Sequence, residues 1–291
     1  LKMKSSFFLF LASFAVLIPL RIYLCLGRID AETGFYLRPN PVGILFTALF
    51  LLTLLVLAIL PHIGKVKNED LSPAGNKLIG LLGLVLGFLF IVETVSGGFG
   101  NVSAYLKNLS SMPALFSAAA GVAGFISGLL FVFYGMLTLF SKPIGGAVAA
   151  LIMLPSLWCL FLMMHRFLTF TNIVSVSNRM ILILFLGLGA LFILGHARVV
   201  TNVYSGRGVK DSVAYGLGAA IAGFVYTIPR TIASLAGMDP GYEPFASENL
   251  LIFFFALYAA AFALYVLRGY HRAASRGEAQ SRALEDLGRE E

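Results

Sequence analysis

Val42-Gly43-Ile44-Leu45-Phe46-Thr47-Ala48-Leu49-Phe50-Leu51-Leu52-Thr53-Leu54-Leu55-Val56-Leu57-Ala58-Ile59-Leu60 is nineteen residues long, carries no charge and has two Thr hydroxyls as its only polar side-chain groups. A bilayer core about 30 Å thick takes about 20 residues at 1.5 Å rise, so the run reads as a membrane-spanning helix. Seven further apolar runs repeat the pattern, and the breakers between them set helices at 6–26, 42–60, 76–95, 113–140, 143–165, 179–198, 211–233 and 249–267. The expected fold class is all-α: a polytopic bundle of about eight transmembrane helices over residues 1–267, then a charged, amphipathic cytoplasmic tail at 268–291.

Composition excludes the alternatives. The 291 residues are 59% hydrophobic and 12% charged, with mean hydropathy +0.90. Soluble domains carry about 25% charged residues, and this chain has too few to cover a globule. Abundant Phe (26) and Gly (30) suit alternating lipid-facing and close-packed helix faces. The net charge of +7 reports topology before partners. With no basic face or aromatic–basic motif, nucleic acid is not an expected partner. Cys25 and Cys159 lie at different depths of the first and fifth spans, which argues against a disulfide, and no CxxC or Cys/His pattern occurs.

Lys2 and Lys4 before Phe7–Leu20 imitate a signal peptide, but Arg21 follows directly and no small-residue cleavage site is present. The segment is therefore expected to stay as the first helix. Pro41, Pro113 and Pro143 stand at or beside first turns, where a missing N–H costs nothing. Pro19, Pro155 and Pro229 are expected inside helices as kinks. Lys65-Val66-Lys67-Asn68-Glu69-Asp70 and Asp239-Pro240-Gly241 read as loops. With the N-terminus inside, Lys2, Lys4, Lys65, Lys67, Lys77, Lys142, Arg198, Arg207, Lys210 and the five tail arginines share the inner side, fourteen of twenty-one basic residues. That bias predicts N-in, C-in and an even number of spans. Small residues recur at four-residue spacing: Gly83 and Gly87; Ala120, Gly124 and Gly128; Ala214, Gly218 and Ala222. Such faces let backbones approach, inside one bundle or across a homo-oligomer.

A search for chemistry returns little. His62, His165, His196 and His271 are scattered without HExxH or other metal spacing. Neither a phosphate loop nor a nucleophile elbow is present. No catalytic residue, metal site or cofactor is expected. Asn101-Val102-Ser103 and Asn108-Leu109-Ser110 match the sequon pattern by three residues only.

Charge depth is more informative. Arg21 follows Lys4 by seventeen residues, Glu93 follows Lys77 by sixteen and Arg230 follows Asp211 by nineteen, which sets the three at one level near the outer boundary. The arginines suit the negative dipole end of outward-running helices and can snorkel. Glu93, expected in the last turn of its helix, sits where the dipole disfavours a carboxylate and needs a partner. An ion pair at about 4 Å with Arg21 or Arg230 is worth up to about 4 kcal/mol at an effective dielectric of 20. Arg21, Glu93 and Arg230 thus form the candidate binding cluster, an outward-facing polar pocket for an anionic or zwitterionic solute or a lipid headgroup. The plainer alternative is an interhelical ion pair at the membrane edge.

Asp30, Glu32, Asp239 and Glu243 supply loop oxygens without an EF-hand spacing, a solvated surface. Arg268, Arg272 and Arg276 follow the last span at four-residue steps, a topology anchor that can also hold anionic lipid. Ile18-Pro19-Leu20-Arg21 faintly echoes Ile228-Pro229-Arg230, over too few residues to establish a duplication.

Pro19-Leu20-Arg21-Ile22-Tyr23, Ile29-Asp30-Ala31-Glu32-Thr33-Gly34-Phe35-Tyr36 and His196-Ala197-Arg198 resemble a group of uncharacterised multi-pass membrane proteins of Gram-positive gut anaerobes. The resemblance implies a bacterial cytoplasmic membrane and a retained first helix, and supplies no activity. The leading functional expectation is small-solute or lipid-related transport, with the lipid bilayer and an unknown small solute as partners. The competing class is a non-transporting component such as a sensor or assembly partner. A membrane enzyme stands third, with Glu93 and His165 as acid–base candidates.

Overall fold

The computed structural model describes residues 2–29, 36–37, 40–63, 75–107, 109, 111–142, 151–169, 176–239 and 241–287, with side chains described up to Tyr270. Asp30, Glu32, the 64–70 loop, Pro143 with the first part of the fifth span, Asn108, Pro240 and the side chains of Arg272 and Arg276 lie outside them.

The described residues form helices α1 (Lys2–Gly27), α2 (Pro41–Ile59), α3 (Lys77–Glu93), α4 (Phe99–Lys107), α5 (Met112–Leu139), α6 (Pro155–Leu168), α7 (Val176–Val200), α8 (Ser205–Leu235) and α9 (Ser247–Leu287), and no strand. Seven helical segments are long and apolar enough to cross a membrane, the seventh ending at Tyr270 within α9. α6 is shorter, 14 residues or about 21 Å.

Local chemistry fixes several helix starts. Asn40 caps α2 by accepting from Gly43 N at 2.8 Å, with Pro41 behind it in the first turn. Asn76 accepts from Leu78 N and Ile79 N at the start of α3, and Ser111 accepts from Ala114 N at the start of α5. Each cap satisfies an amide left without a partner by the helix geometry.

Two sequence expectations need correction. The third span does not stop near Val95: α3 passes through a π-helical turn at Thr94–Gly98 into α4, a continuous helix from Lys77 to Lys107. Glu93 is therefore internal to a helix, and the dipole argument against it falls. Gly97 and Gly98 read as a terminus in the sequence, yet Gly98 is where the helix meets α5. A Cβ there would lie 3.2 Å from Gly121 Cα. The fifth span is also not helical throughout, because Ile152–Leu154 form a turn and Pro155 opens α6 instead of kinking it. Proline's missing N–H is harmless in a first turn.

Contacts between ends define two levels. At one, called distal, Arg21 of α1 meets Ser177 and Asn178 of α7, Glu93 meets Ser247 of α9, and His165 of α6 meets Pro113 of α5. At the other, proximal, Gly75 N donates to Thr138 O at 2.8 Å and His62 reaches Asp211 of α8. The helices thus alternate in direction, α3 and α4 counting as one. α6 ends distally and begins at the level of Tyr134 and His196, close to the proximal side.

α8 lies at the centre, buried almost all round. Its run Ala214–Gly223 is small enough for α1, α2, α7 and α9 to close on it. A Cβ at Gly223 would meet Ala256 Cβ at 2.6 Å, and one at Gly216 would meet Phe192 at 2.9 Å. Around it Phe185, Phe192, Phe255 and Phe262 are inaccessible. α3 and α5 pack through glycine: a Cβ at Gly87 would lie 2.6 Å from Val132 N and 2.7 Å from Gly128 O. The glycine faces of these two helices are spent inside the bundle.

Candidate functional site

The polar residues near the distal end fall into two groups. Arg230 donates from Nε to Asp239 Oδ2 at 2.9 Å, bonds Tyr226 Oη at 3.1 Å and stacks over the Tyr242 ring at 4.2 Å. Asp239 lies in the loop after α8, so this is a local clamp on the helix end. Arg21 is fully buried and bonds Tyr36 Oη (2.7 Å), Ser177 Oγ (3.2 Å) and Asn178 Oδ1 (2.5 Å).

Glu93 belongs to the second group, and neither Arg21 nor Arg230 lies within ion-pair distance of it. Its carboxylate accepts from Ser247 Oγ, and Ser96 Oγ lies 3.0 Å from that hydroxyl. Ser247 opens α9, so the positive end of that helix dipole faces the carboxylate. The partner that Glu93 demands is a helix N-terminus, supplied by a residue 154 positions further along the chain. Among the described residues it forms no ion pair.

Beside Glu93 opens a cleft of about 100 Å³ between α3–α4, α5, α6 and α9. Its polar lining is Glu93, Thr94, Asn101, Ser117, His165, Arg166 and Glu248. Arg166 pairs with Glu248, the two side chains 34% and 32% exposed, so the guanidinium is held yet reachable. His165 Nδ1 lies 2.9 Å from Pro113 O, a carbonyl that can only accept. The Nδ1–H is committed there and Nε2 remains for the cleft. The floor is Trp158, packed edge-on against Phe90 at 4.7 Å and against Gly124, where a Cβ would sit 3.1 Å from the indole. Beneath it lie Phe131 and Phe255, both buried.

The cleft therefore offers the Glu93 carboxylate, the Arg166 guanidinium with its Glu248 partner, an imidazole nitrogen and three neutral hydrogen-bonding side chains over an aromatic floor. Sequence reasoning singled out Glu93 and His165, but not Arg166. It missed Ser247, Glu248, Asn101 and Ser117, of which Ser247-Glu248 carried a signal as a serine and an acid opening the last helix.

Two further clusters lie outside this cleft. At the proximal side Asp211, buried, accepts from Arg198 and lies 3.1 Å from His62 Nε2. Within the core His196 Nε2 and Tyr258 Oη are 2.6 Å apart, ringed by Tyr134, Phe192 and Phe262. Among the described residues no group of three metal-ligating side chains occurs. No protein-family model, curated protein or solved structure matches the chain.

Proposed function

We propose that the protein is a non-transporting component of its membrane, a sensor or assembly partner that binds a small zwitterion in the distal cleft. One observation carries this: Glu93 and Arg166, of opposite charge, face one cleft that ends on the Trp158–Phe90 floor above a packed core. Opposed charges suit a molecule carrying both, and a floor of inaccessible aromatics suits binding better than conduction. The cleft volume of about 100 Å³ suits a small ligand. We take the membrane to be a bacterial plasma membrane with the proximal side inside, on the resemblance and the charge bias described above.

The test is a glycine titration of the purified protein in lipid nanodiscs. Glycine is expected to raise the unfolding temperature of the wild type, approaching about 2.7 kcal/mol at a hundredfold excess over Kd. Glu93→Gln is expected to abolish the shift. No shift from glycine or another small zwitterion in the wild type would remove this reading.

A second reading, solute transport, is favoured by the π-helical turn Thr94–Gly98 in the cleft wall, since such turns often mark moving or functional helix segments. Uptake of labelled glycine into proteoliposomes would select it over the first.

A further inference from the structure

The bundle holds a cation whose compensation is not accounted for by the cleft. Arg166, Arg198 and Arg230 each hold a carboxylate. Arg21 is inaccessible, yet all its hydrogen-bond partners among the described residues are neutral oxygens, and its Nε has no partner. Its guanidinium also lies 5.2 Å from the centre of the Phe46 ring. A buried charge at the edge of the hydrocarbon is costly unless opposite charge stands nearby.

What adjoins Arg21 is a groove on the lipid-facing side of α2. It measures about 650 Å³ and is lined by Tyr36 and Asn40 at its distal head, with Gly43, Ile44, Ala48 and Leu51 along its length. The head is rich in donors. Tyr36 Oη accepts from Arg21, which leaves its own proton to be given elsewhere, polarised by the cation behind it. Asn40 spends its carbonyl oxygen on Gly43 N, and its Nδ2, packed against Gly43, has no partner among the described residues and reaches the groove only by a turn of the side chain. Gly43 makes this possible, because a Cβ there would lie 2.7 Å from Asn40 Nδ2 and 3.3 Å from the Tyr36 ring. The α2 N-terminus adds its positive dipole end. Below the head the wall is exposed and apolar apart from Thr47, whose hydroxyl donates to Gly43 O at 2.8 Å: Ile44 is 75% and Leu51 49% accessible. From Asn40 to Leu51 the helix descends about 16 Å, half of a hydrocarbon core about 30 Å thick.

We propose that this groove is a binding site for one anionic phospholipid of the distal leaflet. Its phosphodiester sits against Tyr36 and Asn40 in the field of Arg21, and one acyl chain lies along Ile44, Ala48 and Leu51. A donor-lined head over a wall one leaflet deep fits that molecule. A solute lacks the chain and a diacylglycerol lacks the charge. The site is on α2, separate from the cleft between α3–α4, α5, α6 and α9, and stands or falls independently of it.

Native mass spectrometry of the full-length protein tests this with three probes: phosphatidylglycerol, diacylglycerol and inorganic phosphate. The wild type is expected to retain one phosphatidylglycerol saturably, to retain diacylglycerol at least tenfold more weakly, and to show no phosphate adduct at equal concentration. Ala48→Trp, which fills the groove from an exposed position, is expected to lower retention at least tenfold. Leu129→Trp, on the exposed face of α5, is expected to leave it unchanged. Tyr36→Phe is expected to lower retention several-fold. Equal retention of phosphatidylglycerol and diacylglycerol by the wild type would overturn the proposal without recourse to any variant. So would undiminished retention in Ala48→Trp, or a saturable phosphate adduct alone.

Discussion

At the scale of single residues, the distal and proximal ends show how polar groups survive in an apolar bundle. Asp211 is the most buried acid among those described, and it survives because Arg198 and His62 reach it from two other elements. Asp211→Asn should leave Arg198 and His62 without their carboxylate and lower stability by about 2 kcal/mol. That is less than the about 3–5 kcal/mol of a fully buried pair, because Arg198 and His62 are each 36% exposed and keep some solvation. Thermal unfolding in detergent measures it, and an unchanged melting temperature would contradict the assignment. Tyr242, in the loop before α9, gives a pH dependence. Burial pushes its phenol up to about 12 from the ordinary 10. The unfolded chain then releases this proton first, so the neutral phenol's contribution is intact below pH 10 and is lost as pH rises from 10 through 12. Tyr242→Phe should therefore lose less stability than the wild type over that interval, as read from parallel melting curves.

At the scale of helices, glycine decides which elements touch. Gly87 and Gly128 bring the α3 and α5 backbones together, so Gly87→Ala forces a methyl group to within 2.6 Å of Val132 N and 2.7 Å of Gly128 O. A displacement of that kind should cost about 2–3 kcal/mol. Gly100, in α4, has open space around its missing side chain, and Gly100→Ala should be neutral or stabilise by up to about 1 kcal/mol through helix propensity. Denaturation of the two variants side by side separates packing from propensity, and equal effects would refute the contact. The glycine spacing was legible in the sequence, because four-residue repetition puts residues on one face whatever that face meets. The partner was not legible, since lipid and a neighbouring backbone both accept an apolar small-residue face. The fate of Glu93 was hidden for a related reason. The helix runs on past Glu93 through a π turn that packs on Gly121 through Gly98. Its partner Ser247 lies 154 residues away, a distance no local pattern spans. Counting residues assigns Arg21, Glu93 and Arg230 one level, but depth fixes only one of three coordinates, and the other two sort them into separate neighbourhoods.

At the scale of the whole molecule, alternating helix direction makes the placement of either end a statement about every loop. Gly75 meets Thr138 at one level and His165 meets Pro113 at the other, so Leu109 before α5 and Lys142 after it must lie on opposite faces of the membrane. The charge bias predicts which face is which: Lys142 shares its side with Lys77, Arg198, Arg207 and Lys210, and a cytoplasmic side is expected to collect such residues. The two cysteines, Cys25 and Cys159, are free and buried, which allows their replacement by Ala to give a background without reactive thiols. On that background Leu109→Cys should be labelled in intact cells by a membrane-impermeant maleimide, while Lys142→Cys should be labelled only after the membrane is opened. The reverse pattern would keep the bundle and invert it, moving both the cleft at Glu93 and the groove at Tyr36 to the cytoplasmic leaflet. Labelling of both positions in intact cells would be incompatible with α5 crossing the membrane, and with it the alternation on which the distal level depends.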